Sequence, residues 1–205
     1  MVRVKICGLT SIEDAVLAAE LGADALGFNF AEGPRRIAPD LAAEIVRKLP
    51  PFVVPVAVFV NELPEKICQI CRDVGIRTVQ LHGEEPPELL GFLPGLRVIK
   101  AFRVGALSDL ENILRYRLET VLLDAKIEGK RGGTGHTFNW ELAAKVPQAI
   151  QVILSGGLSP ENVAEAIRIA RPYAVDVASG VESSPGKKDP DLMRLFIQEA
   201  HSALL

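Results

Sequence analysis

"RVKICGLTSIED", residues Arg3–Asp14, sets a strand, a turn and the start of a helix side by side in twelve residues. Val4 and Ile6 alternate with Lys5 and Cys7, Gly8 interrupts the run, and apolar residues then recur at Ile12, Ala15, Val16 and Ala19 with helical spacing. Thr10 stands three residues before Glu13 as a capping box would require, and Gly22 falls just past the helix end. The same order repeats along the chain. Strand-like runs occur at 2–6, 25–30, 53–60, 78–81, 97–99, 120–123, 151–154 and 174–177, with helix-like stretches between them. Ser159-Pro160-Glu161 reads as a capped helix start, leading into the apolar face Val163, Ala166, Ile167 and Ala170. Strands alternating with helices imply parallel pairing through right-handed crossovers. Eight such units predict an α/β fold, an eight-stranded parallel (β/α)8 barrel forming a single domain over residues 1–205. The competing doubly wound sheet often carries a glycine-rich fingerprint after its first strand, where this chain has Cys7-Gly8-Leu9-Thr10.

Composition narrows the function classes. The 205 residues are 48% hydrophobic and 24% charged, with a formal charge of -3, which leaves no basic footprint for nucleic acid. Arg35-Arg36 and Lys187-Lys188 are short basic clusters suited to a small anion. The most apolar run, 52–60, is broken by Pro55 and falls far short of the ~20 residues of a membrane span. No signal peptide is evident, so a cytoplasmic protein is expected. Three cysteines do not make a disulfide framework. Cys68 and Cys71 match C-x-x-C but sit in a helical pattern with Ile67, Ile70 and Val74, which points to packing. His82, His136 and His201 lack zinc-like spacing, so no metal site is expected.

Chemistry gathers at the ends of the strands. Cys7, Asn29, Asn61, His82, Lys100, Asp124, Ser155 and Asp176 stand at or near the C-terminal ends of the apolar runs, and a parallel barrel opens all those ends onto one mouth. Strand parity puts Lys5 on the face of Cys7, and Gln80 on the face of His82. A Lys5 aimed into the barrel needs a partner, and Asp176 on the strand that closes the barrel is the natural one. That pair is expected to help keep Cys7 ionised. Ser155-Gly156-Gly157 and Ala178-Ser179-Gly180 are glycine turns after the last two strands, where barrels of this kind bind phosphate. Lys130–His136 approximates a nucleotide loop. It lacks glycine at its first position and lysine at its seventh, leaving either a plain loop or a lid beside Asp124. A helix is expected to open after it, near Asn139-Trp140.

The motifs "VKICGLT", "GADALGFNF", "RRIAP", "AVFVNE", "VQLHGEE", "LLDAK", "GGTGHTFNW", "LSGGLSPENV" and "VDVASGVESSPGKKD" occur in order, one per unit. Over nearly the whole chain this set resembles the phosphoribosylanthranilate isomerases of tryptophan biosynthesis. The resemblance implies an eight-fold barrel and an Amadori rearrangement of N-(5-phosphoribosyl)anthranilate to 1-(2-carboxyphenylamino)-1-deoxyribulose 5-phosphate, without a cofactor. It implies Cys7 as general base, Asp124 as general acid and Arg36 as the holder of the anthranilate carboxylate. The phosphate would sit at Gly156, Gly157, Ser179 and Gly180. Gln80 and His82 are further candidates for substrate contact, with hydrogen-bonded orientation of the rim as their other role. Such a mechanism wants a raised pKa at Asp124 and a lowered one at Cys7. The expected partners are a small phosphorylated substrate and at most a second copy of the chain, with neither nucleic acid nor membrane. Two other functions fit the same scaffold. One is the histidine-biosynthesis isomerase, which Cys7 argues against because that family resembles an aspartate pair. The other is a non-catalytic phosphate-sugar binding protein, opposed by Cys7, Asp124 and Arg36 together.

Overall fold

The computed structural model describes residues 1–125 and 140–204. Eight parallel strands close into a barrel in chain order: β1 (Arg3–Cys7), β2 (Ala25–Asn29), β3 (Val54–Phe59), β4 (Thr78–Leu81), β5 (Arg97–Val104), β6 (Thr120–Ala125), β7 (Gln151–Ser155) and β8 (Ala174–Val177). The period-two pattern divides their side chains between two cores. Val56, Ile99, Ala101, Leu122, Ile153 and Ala174 fill the barrel interior. The alternate residues, Val4, Ile6, Leu26, Phe28, Val79, Leu81, Val121, Leu123, Leu154 and Val175 among them, pack outward against the surrounding layer. Closure pairs β1 with β8, setting Lys5 opposite Asp176 as parity and topology require.

The connections depart from the sequence reading in instructive ways. Helix α1 (Ile12–Glu20) is capped one residue later than expected: the Ser11 side chain accepts from the Asp14 N–H at 3.2 Å. The Thr10 hydroxyl is spent elsewhere, donating to the Gly186 carbonyl at 2.5 Å. Helices α2 (Pro39–Lys48) and α3 (Pro64–Val74) each begin with proline. Cys71 lies buried on α3 with its thiol pKa pushed up to about 12 by burial, in keeping with a packing role. Between β4 and β5 the chain makes only a 3-10 helix, Pro87–Phe92, because Pro86-Pro87 and Pro94-Gly95 leave too little room for a longer one. After β5 come a 3-10 turn, Leu107–Leu110, and the short α4 (Glu111–Arg115).

The segment 130–136 and Asn139 lie outside the described residues, and of the helix expected there a 3-10 turn, Ala143–Lys145, is what the described residues contain. Helix α5 (Val163–Ala170) starts at Val163, after a turn in which the Asn162 carboxamide accepts from the Ser159 N–H at 2.9 Å. Ser159-Pro160-Glu161 therefore precedes the helix instead of opening it. After β8 a 3-10 turn (Ser179–Val181) leads to a small antiparallel hairpin, β9 (Glu182–Ser184) with β10 (Lys187–Lys188), and then to α6 (Pro190–Ser202). No described helix is long and apolar enough to cross a membrane.

Candidate active site

At the C-terminal mouth a cavity of about 360 Å³ is lined by residues from β1, β2, β3, β4, β6, β7 and β8 and the turns beyond them. Cys7, Gln80, His82, Asp124, Gly156, Gly157 and Ser179 all face it, so most of the sequence-selected residues converge. Gly180 and Arg36 are not part of the lining. Gly180 sits behind Ser179, where a Cβ would come within 1.9 Å of the Leu158 carbonyl oxygen. Its role is to let the turn after β8 press against the turn after β7. Arg36 reaches the mouth through a bridge to Asn29, but its guanidinium, 54% exposed, pairs with Glu32 on the rim.

Two residues predicted from strand ends belong elsewhere. Lys100 is not at an end, since β5 continues to Val104, and it points outward because Ile99 and Ala101 take the interior positions. Its buried ammonium donates to the carbonyls of Gly83 at 2.7 Å and Ala101 at 2.8 Å and pairs with Glu85 at 3.3 Å. Asn61, at a positive φ of 51°, ties the loop after β3 to the one after β4: its side chain accepts from the Glu84 N–H at 2.7 Å. The basic pairs also read differently in three dimensions. Lys188 is fully buried, donating to the Cys7 carbonyl at 2.6 Å, the Ala178 carbonyl at 3.0 Å and Glu182 at 2.9 Å. Arg35 binds the same Glu182 through both ends of its fork, at 2.8 and 2.7 Å. These cations lock the end of β1 to the hairpin and to the loop after β2; Lys188 is enclosed by its partners, while Arg35 also lines the cavity. Sequence reading missed this clamp because its members are 147 and 181 residues apart in the chain.

Beneath the mouth Lys5 donates to Asp176 at 2.6 Å and to the Gln80 carboxamide oxygen at 2.9 Å, and the Ser155 hydroxyl donates to the other Asp176 oxygen at 2.8 Å. Burial alone would lower the Lys5 pKa, but the charges of Asp176 and Cys7 more than reverse it and leave it raised. For Cys7 the balance runs opposite to the expectation: burial pushes the thiol up, and Lys5, followed by Lys188, offsets this only in part. The reason is position, since the thiol shares its enclosure with Asp176 as well as with the two ammonium groups. Thiolate should therefore form only as pH climbs past the ordinary thiol range of about 8–9. Iodoacetamide labelling of Cys7, followed by peptide mapping, should accelerate with a midpoint above that range. A midpoint below it would contradict the assigned balance.

Gly27 explains how the thiol fits. A Cβ there would lie 2.6 Å from the Cys7 sulfur and 3.1 Å from its Cα, so only glycine on β2 leaves the thiol its place. Gly27→Ala is expected to displace Cys7 and change its rate of iodoacetamide labelling, and an unchanged rate in the folded variant would refute this.

On the opposite side of the mouth the Gln80 amide and His82 Nδ1 are 2.7 Å apart, and His82 Nε2 lies 3.2 Å from Asp124 Oδ2. The turn after β7 holds Gly156 and Gly157 at positive φ, 88° and 66°, a conformation natural to glycine, and both line the cavity. No group of three or more His, Cys, Asp or Glu among the described residues is arranged to hold a metal ion. A thiol and a carboxyl across one cavity can exchange protons with two different atoms of one molecule held between them.

Comparison with known proteins agrees in family and in fold. The profile of the family described as N-(5'phosphoribosyl)anthranilate (PRA) isomerase matches residues 4–199. The chain is 53% identical over 206 residues to the N-(5'-phosphoribosyl)anthranilate isomerase of Trichlorobacter lovleyi, covering all of both. Among solved structures it resembles phosphoribosyl anthranilate isomerase from Thermotoga maritima, with TM-score 0.91 and 50% identity over 98% of this chain and 99% of that one. It also resembles a structure of a phosphoribosyl anthranilate isomerase in complex with reduced 1-(o-carboxyphenylamino)-1-deoxyribulose 5-phosphate, with TM-score 0.89 and 48% identity over 98% of this chain and 99% of that one.

Proposed function

The chain belongs to the phosphoribosylanthranilate isomerase family, and on that premise we propose that Cys7 is its general base and Asp124 its general acid. The reaction is the rearrangement of N-(5-phosphoribosyl)anthranilate to 1-(2-carboxyphenylamino)-1-deoxyribulose 5-phosphate in tryptophan biosynthesis. The observation that carries the residue assignment is the placement of Cys7 on β1 and Asp124 on β6 around the cavity that also holds Gly156, Gly157 and Ser179. The glycine turns receive the phosphate through backbone N–H groups, fixing the sugar between thiol and carboxyl.

Protonated Asp124 donates to the furanose ring oxygen, the C1–O bond breaks, and the nitrogen lone pair closes an iminium. Cys7 thiolate then removes the proton from C2, whose electrons flow toward the iminium and give an enolamine. Gain of a proton at C1 and loss of the enol proton complete the ketone. Only protons move, so the sequence of steps calls for no cofactor. The burial that raises the thiol pKa also makes the thiolate a stronger base once formed.

Arg36 receives the anthranilate carboxylate, which would take the place of Glu32 on its planar fork. Arg36→Met should raise KM by about tenfold or more, the worth of a charge-assisted hydrogen bond, with kcat little changed. Steady-state assay of N-(5-phosphoribosyl)anthranilate turnover tests this. A large loss of kcat at unchanged KM would give Arg36 a different job, and absence of turnover by the wild type would defeat the reading of function itself.

A further inference from the structure

A row of hydrogen bonds crosses the barrel from the thiol side to the acid: Asp176 to Lys5 at 2.6 Å, Lys5 to Gln80 at 2.9 Å, Gln80 to His82 at 2.7 Å and His82 to Asp124 at 3.2 Å. Donors and acceptors along it are not interchangeable. An ammonium can only donate, so Gln80 must turn its carboxamide oxygen to Lys5. Its NH2 then points at His82 Nδ1, which has to accept. A proton on Nδ1 would set two donors against each other. The ring proton therefore sits on Nε2, and Nε2–H donates to Asp124 Oδ2.

We infer that His82 is a positioning residue for Asp124, its tautomer dictated by the Lys5-oriented Gln80 amide, and that it reserves Asp124 Oδ1 for the acidic proton. The inference rests on Asp124 acting as the acid. With Oδ2 accepting from His82, the proton that reaches the sugar ring oxygen resides on Oδ1. When that proton leaves, the His82 bond becomes one to a carboxylate, roughly twice as strong as to a neutral acid. An interaction that strengthens as the proton departs stabilises the transition state more than the ground state and acts on kcat. Gln80 and Lys5 supply the direction. Neither needs to touch the substrate for this, although Gln80 and His82 both face the cavity.

Two measurements test the inference separately from the acid role itself. Nitrogen NMR of 15N-histidine wild-type protein, with His82 assigned by the His82→Gln variant, should show Nδ1 bare and Nε2 protonated. In Gln80→Glu the new carboxylate would accept from Nδ1, so Nδ1 should become protonated. A protonated Nδ1 in the wild type, or none in Gln80→Glu, would overturn the wiring. In turnover, His82→Ala should lose about tenfold or more in kcat with KM changed less than about twofold. His82→Gln, which places an amide N–H where Nε2 was, should recover most of the loss. An unchanged kcat in His82→Ala, or a loss confined to KM, would overturn the positioning role. The nitrogen spectrum reads the wiring without turnover, so it stands even if Asp124→Asn were to show that Asp124 is not the acid.

Discussion

Asp124→Asn is expected to lower kcat by about 10²–10⁴, the usual worth of one general-acid step. A carboxamide preserves the shape of the side chain and can still accept from His82, so binding and packing should change little. What it lacks is a proton acidic enough to give to the ring oxygen as the C1–O bond breaks. Without that donation the leaving oxygen carries away an uncompensated negative charge and the iminium does not form. KM should therefore stay within a few-fold, and the loss should appear in kcat and kcat/KM alike. Retention of wild-type kcat would show that the ring opens without Asp124.

Cys7→Ser should be comparably damaging, with kcat down about 10²–10⁴. Serine, slightly smaller than cysteine, fits the same space beside Gly27, so the site should keep its form. The hydroxyl, however, is far too weak an acid to supply an oxyanion, and Lys5 beneath it cannot lower its pKa enough to matter. Cys7→Ala removes the acceptor altogether and should show how much of the remaining rate comes from water. Similar rates for the two variants would indicate that serine contributes no base, which is the expected outcome.

How much of this could be read from the chain is clearest at particular residues. Lys5 and Asp176 were paired from strand parity and closure alone, because a two-residue period leaves no choice of face and a buried ammonium needs a carboxylate. The convergence of Cys7, Asp124 and the glycine turns followed from the same logic, since every β-strand of a parallel barrel delivers its end to one mouth. Lys100 shows where that logic failed. A lysine after Val98-Ile99 looks like an exit to solvent, yet the strand runs on and the charge is buried against carbonyls and Glu85 from the neighbouring loop. Nothing local distinguishes those outcomes. The clamp of Lys188, Glu182 and Arg35 is hidden for a related reason: Arg35 and Lys188 read as parts of basic clusters suited to a small anion until the hairpin folds back over β1. The direction of the Cys7 pKa is not legible in the chain, because a sequence shows the nearby lysine but not the enclosure around the sulfur.

The central claim is that Cys7 takes the proton from C2, and isotopic substitution at that carbon tests it most directly. With substrate deuterated at C2, turnover by Cys7→Ser should show a primary kinetic isotope effect, because weakening the base makes C–H cleavage the slow step. Wild-type kcat in that variant, or a slowed reaction indifferent to deuterium at C2, would contradict the account.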